Sequence, residues 1–582
     1  MGDEWRAVNS GRDGVAEHFK DAILLMLTKL RTPEAVCFAL AVLFVAILNL
    51  PFWRMMHRVV EPRTAFEWLF IGATFLSILL LTYLLLLLIA VRPLLRPVVG
   101  VLLPLTAAAS YFMLEYGVVI DVNMVRNLFE TNTAEAGDLV SSKMILYIAL
   151  LGVLPALALW RVPIDWPPHW HGFKRTSVSA AVILPLCAAL LFPFFSNVTS
   201  VFRENRALRL TLTPSNFVSA LNKYVRSKSV AMHPDVKPFA EDAVRVQSAS
   251  SKPRKSLFVV AIGETARADH FALNGYARAT TPELTKIDGL INFPKAYSCG
   301  TDTAQSVPCM FSGLGQKDFT NAKASGQQNL LDILKRAGLD VVWRENQAGC
   351  KGVCDRVTTE VLTGLKHPVF YAYSENHDEI LLDGLADRIK GLTQDTVIIM
   401  HMMGSHGPAY WKRYPERFET FKPVCQESQF SRCTNAEIVN AYDNTILYSD
   451  YVLGRLVSIL TDAAGAGNAD TGMIYMSDHG ESLGENNMYL HGMPYAIAPE
   501  AQKHVPAVLW LSRGLSETSR TDTACLAKTA AGPVSHDNLF HSVLGLFDIR
   551  TAVYDAALDL FAACRHATAL GASPPGSDTR LQ

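Results

Sequence analysis

The sequence predicts a membrane protein in two parts, an N-terminal bundle of five transmembrane helices and a C-terminal α/β domain outside the membrane. Three observations carry that prediction. Hydrophobic residues make up 50% of the 582 and are concentrated in the first third of the chain, a composition too apolar for an ordinary soluble protein of this length. From Leu257 onward, short Val- and Ile-rich runs alternate with helical stretches, the texture of a sheet covered on both faces. Six cysteines in that later region fall in close pairs, as they do in an oxidising compartment.

Taken in order, the predicted spans are Pro33 to Phe52, Trp68 to Val91, Val98 to Ile120, Met144 to Trp160 and Val178 to Phe195. Each is long enough and poor enough in charge to cross roughly 30 Å of hydrocarbon as a helix. Thr32, Pro33 and Glu34 form a good helix start. The polar stretch of about thirty residues before them argues against a cleaved signal peptide. Orientation follows from Lys and Arg in the short loops. Arg6, Arg12, Lys20, Lys29, Arg31, Arg92, Arg96, Arg161, Lys174 and Arg175 fall on one side, against Arg54, Arg58, Arg63, Arg126 and Lys143 on the other. The N-terminus is therefore expected inside, and an odd number of spans puts everything after about Asn197 outside. Arg54, Arg58 and Arg63 dissent from that count, unless they face lipid phosphates.

Between the third and fourth spans, Met124, Val125, Leu128 and Phe129 recur at helical spacing. They predict an amphipathic helix, lying on the outer membrane boundary or packed on the soluble domain. Residues 1–195 are thus read as the membrane domain with its cytoplasmic tail, and 196–256 as a bridging helix followed by a linker ending in "SASSKPRKS". The catalytic domain is read as 257–565, and 566–582 as a flexible tail. With 53 basic and 54 acidic residues, a net charge of −1, the chain lacks the basic surplus of a nucleic-acid binder.

In the soluble part, "LFVVAIGE", "LDVVWREN", "DTVIIMHMMGSHG", "TGMIYMSDHGES" and "VPAVLWLS" are predicted to be buried parallel strands. Open α/β sheets gather ligands at the carboxyl ends of their strands. Those ends carry Glu264, His401 with His406, and Asp478, His479 and Glu481, while His491 follows on a loop. Carboxylates with imidazole form a mixed oxygen and nitrogen set suited to Zn²⁺ or Mn²⁺. The cysteine spacing predicts three short disulfides, Cys299 with Cys309, Cys350 with Cys354 and Cys425 with Cys433. Cys525 and Cys564 are either a fourth bridge or free thiols. No pair has the spacing of a thiolate zinc site.

Six ordered blocks, "GETARADHFALNGY", "SCGTDTAQSVPCMFS", "GCKGVCD", "HMMGSHGPAYWKRYP", "SDHGESLGENNMYLHGMPYAIAP" and "SHDNLFHSVLGLFDI", resemble those of the lipid A phosphoethanolamine transferases, which include the mobile colistin-resistance enzymes. The resemblance implies an alkaline-phosphatase and sulfatase type of fold behind five membrane helices. It implies Thr303 as nucleophile and Glu264, Thr303, Asp478 and His479 as ligands of one tightly bound Zn²⁺. His406, His491, Glu481 and Lys351 match positions that hold the phosphoethanolamine group or a second metal ion. His406 and His491 are the expected proton donors. An asparagine pair that precedes the lysine in some members reads Asn346 and Gln347 here, so contacts to the head group are expected to differ.

The chemistry so implied is transfer of phosphoethanolamine from phosphatidylethanolamine to a lipid A phosphate through a threonine ester, with release of diacylglycerol and resistance to polymyxin. It implies a monomer in a Gram-negative inner membrane with its catalytic domain in the periplasm. Sister groups use Kdo or core heptose as acceptor, and a phosphoglycerol transferase of the lipoteichoic-acid synthase kind is the neighbouring alternative. Gly300 and Ala304 are expected to leave room beside Thr303 for the phosphoryl group, with the Cys299–Cys309 bridge as a rigid frame.

Overall fold

The computed structural model describes residues 31–130, 133–231, 236–246 and 254–565. The N-terminal tail with Arg6, Arg12, Lys20 and Lys29, most of "SASSKPRKS" and the tail 566–582 lie outside the described residues. The described residues divide into two compact units. One holds those up to Val125 and Val140–Lys223, and the other holds Arg126–Leu139 and those from Tyr224 on.

In the first unit, four helices are long and apolar enough to cross a membrane: Ala65–Leu88, Leu95–Tyr116, Ser142–Arg161 and Trp170–Phe194. The first of these starts on a reciprocal cap. Thr64 Oγ1 accepts from Glu67 N at 3.3 Å, and Glu67 Oε2 accepts from Thr64 N at 2.8 Å, so two of the orphan donors of the first turn are satisfied. The expected leading span is a bent pair that passes the same test when its two limbs are taken together, which makes a fifth span. Its apolar helix ends at Leu48, and Leu50–Val60 continues at a bend of 55°. Buried Asn49 makes the corner, donating to Phe44 O at 2.9 Å and Thr213 O at 2.7 Å and accepting from Thr213 N at 2.8 Å. The second limb buries Pro51, Phe52 and Met56 and carries Arg54 and Arg58. Those arginines dissented from the charge count because they belong to an amphipathic limb rather than to a short loop between spans. Val122–Glu130 is helical as its spacing predicted.

The second unit is built on a seven-stranded sheet. In chain order its strands are β1 (Lys255–Gly263), β2 (Ile291–Asn292), β3 (Asp340–Glu345), β4 (Thr358–Val361), β5 (Thr396–His401), β6 (Ala469–Ser477) and β7 (Ala507–Leu511). They lie in the order β2-β7-β6-β1-β5-β3-β4. The five from β6 to β4 are parallel. All five apolar runs singled out in the sequence are strands, but "VPAVLWLS" was expected parallel and β7 pairs antiparallel with β6. A buried strand reads as a continuous apolar run in either direction, so composition carries no sign of the polarity. Helices α1 (Thr303–Ser312) and α2 (Asn435–Gly465) bear on the site. α2 opens on a capping box, Thr434 with Glu437. All four cysteine pairs of this unit are bridged, Cys525 with Cys564 included. Cys37 and Cys187 are free and buried.

Candidate active site

Two neighbouring parallel strands set the site's geometry. β1 and β6 pair with Gly263 opposite Ser477, so the next residues, Glu264 and Asp478, leave the sheet side by side. Asp478 Oδ1 accepts from His479 N at 2.7 Å and Thr265 N at 3.2 Å. His479 Nδ1 lies 2.9 Å from Gly480 O, so that nitrogen carries the proton and Nε2 keeps a free lone pair, the arrangement metal-binding histidines use. Nε2 stands 3.3 Å from Asp478 Oδ2 and 3.4 Å from Glu264 Oε1. All three side chains are fully buried.

Thr303 joins this cup from outside the sheet as the first residue of α1. Asp302 caps the helix, its Oδ1 accepting from Gln305 N at 3.0 Å. The Thr303 hydroxyl donates toward Glu264 at 3.1 and 3.2 Å and lies 3.5 Å from His479 Nε2. It therefore sits at the positive end of the helix dipole, which favours a developing negative charge. The segment before it is tied down three ways. The Cys299–Cys309 bridge links it to α1, Cys299 N donates to His536 Nδ1 at 3.1 Å, and Thr301 O accepts from Gly492 N at 2.8 Å. Gly300 does not leave room for a phosphoryl group as expected. A Cβ there would stand 2.9 Å from Gln305 Cγ and Ser306 Oγ, so the glycine admits the helix's own first turn.

His491 Nδ1 lies 3.4 Å from the Glu481 carboxylate. Its ring centroid is 4.4 Å from that of His479 and 5.5 Å from that of His406. His406 is pushed well below the ordinary histidine range by burial first, then by His491 and Arg413, so it is neutral at physiological pH. His401, the other imidazole at that strand end, is not in the cluster. It pairs with Glu345 at 3.0 Å, and Glu345 also accepts from Trp343 Nε1 at 2.7 Å. Burial opposes charge on this pair, yet each partner favours ionisation of the other, raising His401 and lowering Glu345. Asn346 Nδ2 is spent on Asn376 O and Asp378 Oδ1, both at 2.9 Å. Gln347 N donates to Glu345 at 2.7 Å. Lys351 Nζ donates to Ala348 O at 2.9 Å, and Lys351 lines a cavity of about 590 Å³ together with Ala304 and Asn329.

Three residues that sequence reasoning did not single out position these groups. Asp378 accepts from Met403 N and Gly404 N at 2.8 Å each, fixing the loop that ends in His406. Gly404 has φ +52°, and a Cβ on it would come within 2.7 Å of Glu264 O. Fully buried Arg413 donates through Nε to His406 O at 2.8 Å, through Nη2 to Asp138 Oδ2 at 3.0 Å, and through Nη1 to Glu375. His536 bridges Cys299 N to Ser477 O, tying the segment that carries Thr303 to the strand that delivers Asp478. Arg413 and His536 lie inside quoted blocks, "GPAYWKRYP" and "SHDNLF". Asp378 left no local signal, because its partners, the Asn346 side chain and the amides of Met403 and Gly404, lie 25 or more residues away in the chain.

The residues fit a bound metal ion. Fully buried Asp478 Oδ2 accepts no hydrogen bond, an expensive condition for a carboxylate oxygen without a cation. The contacts of 3.1 to 3.5 Å among Thr303, Glu264, Asp478 and His479 match the edge of a tetrahedron of about 3.3 Å that follows from zinc bonds of about 2.0 Å. Among the described residues, Glu264, Asp478 and His479 are also the cluster whose ligand atoms lie within 4.8 Å of one another with every member buried and no cysteine among them.

A mostly parallel sheet with its carboxylates, imidazole and helix-capped threonine gathered at the strand ends defines a sulfatase-type domain. Residues 256–549 match the sulfatase family, and residues 78–229 match the N-terminal family described as phosphoethanolamine transferase EptA/EptB. Among characterised proteins, phosphoethanolamine transferase EptA of Escherichia coli K12 is 41% identical over 81% of this chain and 86% of its own. Phosphatidylethanolamine transferase Mcr-1 of Escherichia coli is 37% identical over 89% and 95%. The integral membrane lipooligosaccharide phosphoethanolamine transferase A of Neisseria meningitidis superposes with a TM-score of 0.88 at 35% identity, covering 92% of this chain and 99% of that one. The chain belongs to the lipid A phosphoethanolamine transferase family.

Proposed function

We propose that the protein transfers phosphoethanolamine from phosphatidylethanolamine to a phosphate of lipid A, at the periplasmic face of a Gram-negative inner membrane. The observation that carries this reading is the Thr303 hydroxyl, held at a helix N-terminus 3.1 Å from Glu264 and 3.5 Å from His479 Nε2. A lone threonine hydroxyl is almost wholly protonated at neutral pH, so a site of this kind is what makes it a nucleophile. Glu264, Thr303, Asp478 and His479 would hold a Zn²⁺, which supplies a Lewis acid that lowers the hydroxyl pKa and offsets phosphoryl charge.

Thr303 Oγ gives its proton to the Glu264 carboxylate toward which it donates and attacks the phosphorus of the donor, the bond from phosphorus to the glycerol oxygen breaks, and a phosphoethanolamine ester remains on the threonine. His491, oriented by Glu481 at 3.4 Å, gives a proton to the departing diacylglycerol oxygen. His406, neutral because buried, donates a hydrogen bond to a phosphoryl oxygen instead of a proton. Lys351 balances phosphoryl charge, with Asn346 and Gln347 shaping the head-group wall. An acceptor phosphate then gives its proton to His491 and attacks the ester, and Thr303 leaves, taking its proton back from Glu264. Lipid A is favoured over a Kdo acceptor because the chain is 41% identical to an EptA but 27% identical to a Kdo(2)-lipid A phosphoethanolamine 7″-transferase. Added ethanolamine weakens attraction for cationic peptides such as polymyxin.

The test is Thr303→Ala against the wild type, with donor labelled in its ethanolamine. Labelled lipid A and a trapped label on the wild-type protein are expected, with neither in the variant. Transfer at the wild-type rate by Thr303→Ala would sink the nucleophile, and label arriving as phosphoglycerol from a glycerol-labelled donor would sink the substrate.

A further inference from the structure

We propose that residues 361–374 form a face on which the catalytic domain rests on the bilayer, at the boundary between headgroups and acyl chains of the inner membrane's outer leaflet. This goes beyond the transfer reaction and needs none of its steps. Large apolar side chains are rarely left in water in clusters without a partner. Among the described residues from 236 on, five such side chains are exposed, and four of them fall in this one segment: Val361 at 61%, Leu365 at 51%, Val369 at 75% and Tyr373 at 53%. The fifth is Val244. From Val361 to Ser374 the chain holds Lys366 and His367 but no acidic residue. His367 lies 3.8 Å from Asp383, outside the segment, which leaves Lys366 as its basic residue. Apolar and aromatic side chains with a lysine among them are the composition of segments that settle into an anionic lipid interface.

The local backbone presents Tyr373 at the tip of a hairpin. Tyr371–Ala372 pairs antiparallel with Glu375–Asn376, leaving Tyr373 and Ser374 as a two-residue turn. Their φ values are +51° and +70°, a region where Asn and Gly are the favoured residues. An aromatic residue there costs backbone strain, and such strain concentrates where a side chain has work to do. Tyr373 meets the edge of Trp411, ring centroids 4.9 Å apart, and Lys412 Nζ lies 5.6 Å from the Trp411 ring. Tyr and Trp are the residue types that form aromatic belts at membrane surfaces.

The turn is also joined through ion pairs to a piece of chain that leads directly into an apolar span. Glu375, at the foot of the hairpin, is bonded to Arg413, and Arg413 and Lys412 are both bonded to Asp138. Asp138 comes four residues before Ser142, where an apolar span opens. That continuity selects the lipid surface over a second copy of the chain or a soluble partner as the occupant.

The test uses the full chain with Cys37 and Cys187 replaced by Ala, in nanodiscs of phosphatidylethanolamine and phosphatidylglycerol. A nitroxide is placed singly by Val361→Cys, Leu365→Cys or Val369→Cys, with Glu517→Cys as control because Glu517 is 63% exposed on a polar helix. Collision with dissolved oxygen and with a water-soluble nickel chelate is read by spin resonance. The ratio of oxygen to nickel accessibility is expected to be several-fold higher at the three positions than at the control. Equal ratios would overturn the proposal, and so would exclusion of both probes with spin–spin coupling between copies, which marks a dimer face. The readout requires no turnover, so a failed transfer reaction and a failed membrane face are told apart.

Discussion

Replacing both Cys299 and Cys309 by Ala separates two roles of the bridge. The closed loop has a sequence separation of 10, for which chain-entropy arguments give about 2.7 kcal/mol of stabilisation, lost on removal. The segment is not freed outright. Asp302 still caps α1, Gly492 N still donates to Thr301 O, and Cys299 N corresponds to a backbone amide that still reaches His536. If about half of the lost constraint acts on the attacking geometry of Thr303, kcat falls about tenfold, since 1.36 kcal/mol is one decade. The assay is phosphoethanolamine transfer at saturating donor, run beside urea unfolding and metal content. The expected result is a lower urea midpoint, full metal content and a kcat about a tenth of wild type, with KM little changed. Full kcat together with the stability loss would refute the frame argument and leave the bridge a staple. Activity lost in step with metal would instead place its effect on the ligand cup.

Arg413→Lys keeps the charge but cannot satisfy Asp138, Glu375 and the His406 carbonyl at once; loss of one charge-assisted bond is worth roughly 1.5–3 kcal/mol. A displaced His406 should cost kcat up to about a hundredfold while metal content holds, and a wild-type kcat would remove Arg413 from the positioning set. His536 is lowered to about 4 by burial, so below about pH 6.5 the unfolded chain binds a proton that the folded one refuses. Its contribution to stability is therefore present above pH 6.5 and lost as pH falls toward 4, by up to about 3 kcal/mol. Denaturation of wild type and His536→Asn between pH 7 and 5 should show the shallower dependence in the variant.

Glu264, Asp478 and His479 were legible in the sequence because a buried strand announces itself as an unbroken apolar run and the first polar residue after it marks the strand end. Thr303 was not legible that way. It lies on no strand, and only the ordered blocks shared with a known family singled it out from Thr301 and Ser306. His401 shows the limit of the strand-end rule, since it ends β5 but turns to Glu345 rather than to the cup. The bend at Asn49 was hidden because its partner, Thr213, lies 164 residues away. Asp378 and Arg413 were hidden for the same reason: their partners belong to distant parts of the chain.

The register that sets Gly263 against Ser477 makes the cup of Glu264, Asp478 and His479 a property of the sheet, while Thr303 arrives on a separate bridged segment. The two are independent parts. A lineage that kept the β1 and β6 ends could exchange that segment for one bearing a different nucleophile, and so change the chemistry without rebuilding the ligands. The conservative half of the site is the one fixed by ladder hydrogen bonds, and its freedom to diversify lies between Cys299 and Cys309.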